Sequence, residues 1–150
     1  DIAMDLFCGT GTIAQLMAKR NPNVRIIGVD IVEKAISDAK ENALKNQISS
    51  VEFYAADVGK FLKEYPEFQG KIKRIMLDPP RAGIAPKTLQ KVLALGAQSI
   101  VYISCNPATQ ARDANTLAMA GYQLEKYALA DQFPHTGHIE SIAKFVKHES

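Results

Sequence analysis

Two short apolar runs, each stopped by proline, constrain this chain most. Ile75-Met76-Leu77 leads into Asp78-Pro79-Pro80-Arg81, and Ile100-Val101-Tyr102-Ile103 leads into Ser104-Cys105-Asn106-Pro107. An unbroken apolar run of this length predicts a strand buried on both faces, and proline, which has no backbone donor, ends it. Strands read at 2–7, 24–30, 51–55, 73–78, 99–104, 122–130 and 139–147. Helices read at 13–19, 33–46, 58–65, 88–94 and 109–120; Pro86 suits a first turn, and Gly121 ends the last helix. This alternation implies βαβ units and a mostly parallel sheet covered on both faces. The last two strands have no helix between them. They are expected to pair as an antiparallel hairpin at one edge, joined by a loop with Pro134 and Gly137. The fold class is therefore α/β, with a seven-stranded, mostly parallel sheet ending in an antiparallel hairpin.

The bulk numbers allow one domain, 1–150, with a proper core. Of its 150 residues 47% are hydrophobic, and the net charge of +2 neither demands nor excludes nucleic acid. The two cysteines, Cys8 and Cys105, lie far apart and form no metal-type spacing, so a reducing, cytoplasmic setting is expected. No signal peptide is expected, and no apolar run in the sequence is long enough to span a bilayer. The first residue is Asp1, and a strand begins at once. The chain therefore reads as a piece of something longer, with any region that grips a large partner upstream.

Gly9-Thr10-Gly11-Thr12-Ile13-Ala14 fits G-x-G-x-x-G/A between a strand and a helix, a turn that lets a ligand approach the backbone. Asp30 ends the second strand, where a carboxylate can take two ribose hydroxyls. This much suits a dinucleotide as well as S-adenosylmethionine. Three features favour the latter. Asp5 lies inside the end of the first strand and can hold the amino end of a zwitterionic ligand. Asp57 follows the third strand, where an adenine amino group can be met. The sheet ends in a hairpin rather than a second mononucleotide-binding half. Phe7, Gly9, Gly11, Ile31 and Asp78 complete the candidate cofactor contacts.

In an open α/β sheet, ligands bind beyond the carboxyl ends of the strands. Asp78, Arg81 and Cys105 should stand together on that rim. A free cysteine is commonly a small buried hydrophobe. Cys105 instead sits at a strand end just before a helix, where a thiolate is stabilised, so it is the candidate nucleophile. Cys8 reads as packing. Asp-Pro-Pro resembles the Asp/Asn-Pro-Pro-aromatic element of amino-methylating enzymes, but Arg81 replaces the stacking aromatic and argues against amine methylation. His135, His138 and Glu140 could bind a metal, although their spacing matches no standard zinc pattern. A carboxylate near a rim thiol suits proton transfer better.

Taken together, "DLFCGTGTIA", "GVDIVEKAISDAKENA", "LDPPRAG", "SCNPATQARD" and "FPHTGHIES" resemble the catalytic domain of the RNA (uracil-5-)-methyltransferase family along essentially the whole chain. The resemblance implies a Rossmann-like S-adenosylmethionine-dependent fold. It also implies methylation of C5 of uridine in RNA, ribosomal rather than transfer, by a monomer with no metal in this segment and no membrane partner. It makes Cys105 the nucleophile, Glu140 the base and Asp78 a residue at the target uracil. Arg81 and His138 are substrate contacts. Gln110 stands where an apolar residue, usually leucine, is expected, and little effect is expected from it. The other readings are methylation of another base, such as cytosine C5, a nicotinamide-dependent dehydrogenase domain, and a binding module without catalysis.

Overall fold

The computed structural model describes residues 1–133 and 138–148. Strands β1 (Ile2–Leu6), β2 (Arg25–Asp30), β3 (Val51–Ala55), β4 (Ile72–Leu77), β5 (Ser99–Ser104), β6 (Tyr122–Phe133) and β7 (His138–Lys147) form a seven-stranded sheet in the order β3-β2-β1-β4-β5-β7-β6. Helices α1 (Thr12–Arg20), α2 (Glu33–Lys45), α3 (Val58–Glu64), α4 (Pro86–Ala94) and α5 (Pro107–Met119) alternate with the first six strands. β1 to β5 run parallel, and β7 is antiparallel to both β5 and β6.

The expected antiparallel hairpin is present at one edge of the sheet, with β6 outermost and β7 between β5 and β6. The reason is directional. α5 returns the chain so that β6 runs parallel to β5, one strand position away. The gap admits a strand of opposite direction, and β7, joined closely to β6, is that strand. Three boundaries also move, the first being the start of α4, at Pro86 rather than Thr88. α5 starts at Pro107 rather than Thr109, because Asn106 caps it and proline suits the first helical position. β6 runs on to Phe133 rather than ending at 130.

The sheet separates two apolar clusters. Met4, Leu6, Ile75, Leu77, Ile100 and Tyr102 pack with Phe61 of α3, Leu89 and Val92 of α4 and Leu117 of α5. On the other face, Ala3 and Ile26 meet Ala14 and Ala18 of α1 and Ile36 and Ala39 of α2. These small side chains let α1 and α2 lie close to β1–β3. Burying each large apolar side chain is worth about 1.5–3 kcal/mol, so the first cluster carries most of the fold. Met76, Val101 and Ile142, pointing to the second face of β4, β5 and β7, stay half-buried.

Parallel strands place their carboxyl ends along one rim. The order reverses between β1 and β4, which opens a crevice there. Because β7 is antiparallel, its beginning, with Glu140, reaches the same rim as the end of β5.

Candidate active site

On the cofactor side of the crevice, β1 leaves the sheet at Leu6, and Phe7 adopts φ 63°. An aromatic residue rarely takes that left-handed conformation, and strain of this kind gathers at ligand-binding turns. Gly11 also lies in the left-handed region, φ 79°, and a Cβ there would come within 2.6 Å of the Phe53 ring. Only glycine lets α1 begin this close to the sheet. At Gly9 the corresponding space is open.

Asp30 braces this turn. Its Oδ2 accepts the Gly9 amide at 2.9 Å, and its Oδ1 accepts the Val32 amide at 2.9 Å. A carboxylate has about four acceptor positions, so two remain for a ligand. Ile31, beside it, is 66% exposed, an apolar surface next to a polar anchor. Asp57 caps α3 by accepting the Lys60 amide at 3.0 Å, a role that explains one of its oxygens without any ligand. Cys8 is half-buried against the smaller cluster, and burial pushes its thiol well up, in keeping with packing.

Asp5 is fully buried, and neither carboxylate oxygen has a hydrogen-bond partner among the described residues. Burial pushes its carboxyl up to about 7, and the neighbouring charges of Asp78 and Asp30 add to the rise. The Ala14 amide pulls the other way without closing a hydrogen bond of normal geometry. Unpaired buried carboxylates are costly. Asp78, just past β4, is pushed up to about 6 by loss of solvent around its carboxyl and by the charges of Glu140 and Asp30. Residue 78 still presents part of its surface to water. The charges of Asp30 and Asp78 thus reach Asp5, and those of Glu140 and Asp30 reach Asp78, across a single crevice.

On the other side stands Cys105, exposed between β5 and α5. The Ser104 hydroxyl accepts the Asn106 amide at 2.9 Å and lies 2.9 Å from the Asn106 carbonyl, which braces the turn that presents the thiol. Asn106 Oδ1 accepts the Ala108 amide at 3.1 Å and caps α5. The sheet register pairs Ser104 with Ser141. One position further on each strand stand Cys105 and Glu140, the latter half-buried.

The two proline-stopped motifs form one interlocked structure. The Arg81 carbonyl accepts Asn106 Nδ2 at 3.2 Å and lies 3.1 Å from the Thr109 hydroxyl. Asp113, buried in α5, accepts the Ile84 amide at 3.1 Å and the Tyr102 hydroxyl at 2.6 Å. Arg112 pairs with Asp113 and donates to the Ala82 carbonyl at 3.2 Å. Gly83, φ 83°, has no room for a Cβ against the Arg112 guanidinium. The Arg81 side chain is left exposed on the rim.

Sequence reasoning missed Asp113, Arg112 and Ser141 and dismissed Gln110. A signal was present: Asn106, Gln110 and Asp113 recur at helical spacing on a face where apolar residues belong. Gln110, expected to have little effect, is 4% exposed and makes three hydrogen bonds. The backbone of His138 starts β7 at the rim, while its side chain lies outside what is described, as does His135 altogether. Among the described residues no group of three histidine, cysteine or acidic side chains could hold a metal ion. No described helix is long and apolar enough to cross a membrane.

Comparison with known proteins agrees with this fold. The profile of the tRNA (uracil-5-)-methyltransferase family matches residues 1–148. The 23S rRNA (uracil(1939)-C(5))-methyltransferase RlmD of Haemophilus influenzae is 43% identical over 145 residues, covering 97% of this chain and 32% of that protein. An uncharacterized RNA methyltransferase of Clostridium acetobutylicum is 44% identical over 138 residues, covering 92% of this chain and 29% of that one. The chain thus spans about a third of the length of these relatives. The crystal structure of Pyrococcus abyssi tRNA (uracil-54, C5)-methyltransferase, in complex with S-adenosyl-L-homocysteine, superimposes with a TM-score of 0.80 at 34% identity, covering 96% of this chain and 34% of that one. The chain belongs to the tRNA (uracil-5-)-methyltransferase family.

Proposed function

We propose that this chain is the catalytic part of an S-adenosylmethionine-dependent enzyme that methylates C5 of uridine in RNA. We take the RNA to be ribosomal, on the likeness to RlmD, and the setting to be cytoplasmic. The observation that carries the proposal is the meeting of an exposed thiol, Cys105, with Glu140 and Asp78 at one rim of the sheet.

The crevice suits S-adenosylmethionine better than a dinucleotide. S-adenosylmethionine carries a sulfonium and an ammonium against one carboxylate, a net positive charge. Asp5, an orphaned buried carboxylate, sits among Asp30 and Asp78, where a cationic group would relieve three acids at once. A pyrophosphate would meet the same acids with like charge. Asp30 has acceptor positions left for ribose hydroxyls, and Phe7 and Ile31 offer apolar surface for adenine. When bound, S-adenosylmethionine supplies an electrophilic methyl group.

This chain's residues do the rest. C5 of uracil is a poor nucleophile. The Cys105 thiolate adds to C6, and the electron pair of the C5–C6 double bond moves into an enolate that is nucleophilic at C5. Asp78, with its carboxyl held near 6, can be protonated and donate to the uracil oxygen where negative charge gathers. Once C5 carries the methyl group, Glu140 takes the C5 proton. The double bond re-forms, and the C6–sulfur bond breaks to return the thiolate. Arg81, exposed next to Asp78, is suited to a phosphate of an extruded nucleotide.

The test uses the full-length protein with RNA carrying 5-fluorouridine and S-adenosylmethionine. Fluorine cannot leave C5 as a proton does, so the methylated RNA–protein adduct should accumulate and survive denaturation. Cys105→Ala should form none, and Glu140→Gln should trap a methylated adduct on unmodified RNA. Adduct formation by Cys105→Ala at the wild-type rate would remove Cys105 as the nucleophile.

A further inference from the structure

On the proposed function just argued, the side chain of Gln110 gains a part in the reaction. It lies in the first turns of α5, buried behind the rim, and touches both strands that carry the reacting groups. Its Nε2 donates to the Tyr102 carbonyl at 3.0 Å and to the Ser141 carbonyl at 3.2 Å. Two carbonyl neighbours fix which end of the amide is nitrogen, since an oxygen there would face two acceptors. Its Oε1 accepts the Ser141 hydroxyl at 2.6 Å. The same hydroxyl lies 3.3 Å from the Ser104 carbonyl, but its single proton is committed to the shorter contact. Every group in this cluster is buried, with Ser104 5%, Gln110 4% and Ser141 1% exposed.

Position gives the cluster its meaning. Ser104 precedes Cys105, and Ser141 follows Glu140, and the two serines face each other in the ladder. The amide therefore joins α5, β5 and β7, meeting β7 one residue from the base and β5 three residues before the nucleophile. Apolar packing at this point would fill space without direction. Hydrogen bonds to two strands also fix how far one can slide or tilt against the other. We infer that Gln110 and Ser141 form a buried clamp that sets the placement of Glu140 relative to Cys105. Gln110 is a positioning residue: it touches neither RNA nor cofactor.

The experiment compares the full-length wild type with Gln110→Leu, which keeps volume and removes the amide, and with Ser141→Ala, which removes only the hydroxyl. Misplacing reacting groups by about an ångström can cost about a hundredfold in rate. Gln110→Leu should lower kcat per folded molecule by between about tenfold and a hundredfold, with Ser141→Ala lowering it less. KM for S-adenosylmethionine should stay unchanged, because among the described residues the side chains of Gln110 and Ser141 bond only to each other and to Tyr102 and Ser104, and not to the residues of the crevice between β1 and β4. On unmodified RNA, both variants should accumulate methylated adduct, since withdrawal of the C5 proton slows. If Gln110→Leu does not fold, Ser141→Ala carries the same readouts. Normal kcat with only a lowered Tm would overturn the inference, as would a rise in KM for S-adenosylmethionine matching the fall in kcat. If wild type gives no adduct with 5-fluorouridine RNA, the proposed function falls and takes the clamp with it. If wild type does and both variants match it in rate and partition, the clamp alone falls.

Discussion

Asp5 is a buried acid without a hydrogen-bond partner among the described residues. Its carboxyl, ordinarily near 3.8, is held at about 7. The folded state therefore keeps a proton that the unfolded state loses between about pH 4 and pH 7. Stability is highest below that window and declines as pH rises through it. Asp5→Asn should flatten this decline, which urea midpoints measured from about pH 5 to pH 8 would show. A cationic ligand favours the ionised acid, so binding S-adenosylmethionine near pH 6 should release a proton. Calorimetry in two buffers of different ionisation heat measures that release. Asp5→Asn should release less and bind at least about tenfold more weakly, because a charged partner is worth about 1.5–3 kcal/mol. Proton release unchanged in the variant would place the titrating group elsewhere.

The helix α5 is the element that gathers the site. Its cap, Asn106, uses both ends of one amide: the oxygen holds the Ala108 amide, and the nitrogen holds the Arg81 carbonyl. Asn106→Ala should cost about 1 kcal/mol from the lost cap, read by thermal unfolding. Asn106→Asp should recover that stability, since a carboxylate caps as well and meets the helix dipole. It lacks the donor for Arg81, so its KM for RNA should stay raised. Recovery of both properties together would mean that the Arg81 contact is idle. The same element shows what is legible in a sequence. β5 and the end of β4 were readable because burial inside the sheet writes itself as an unbroken apolar run. Gly9-Thr10-Gly11 and Asp30 were readable because a turn and its brace lie about twenty residues apart in one βαβ unit. The start of α5 at Pro107 was written too, as asparagine before proline. The clamp was not readable. A glutamine inside a helix says only that something polar is near, and its partners, Tyr102 and Ser141, come from two strands whose adjacency no local pattern records. The position of β7 is of the same kind: pairing partners are a property of the assembled sheet.

At the scale of the whole molecule, the site depends on a strand held from both sides. β7 bonds to β5 along Ser99–Ser104 and to β6 along nearly all of its length. Hydrogen exchange should find the amides of 99–104 and 141–146 opening as one unit. Separate exchange of the two strands would mean that the ladder is looser than its register implies. The antiparallel insertion has a further consequence for how such chains can change over time. Cys105 and Glu140 are brought together by the rungs of a ladder rather than by the length of the path between them. Beyond the first turns of α5, which hold the site, the rest of that helix and the outer edge of β6 are thus free to change or acquire new contacts for RNA, while the sulfur and the base keep their spacing. Variation in specificity and invariance of the chemistry are separated by the topology itself.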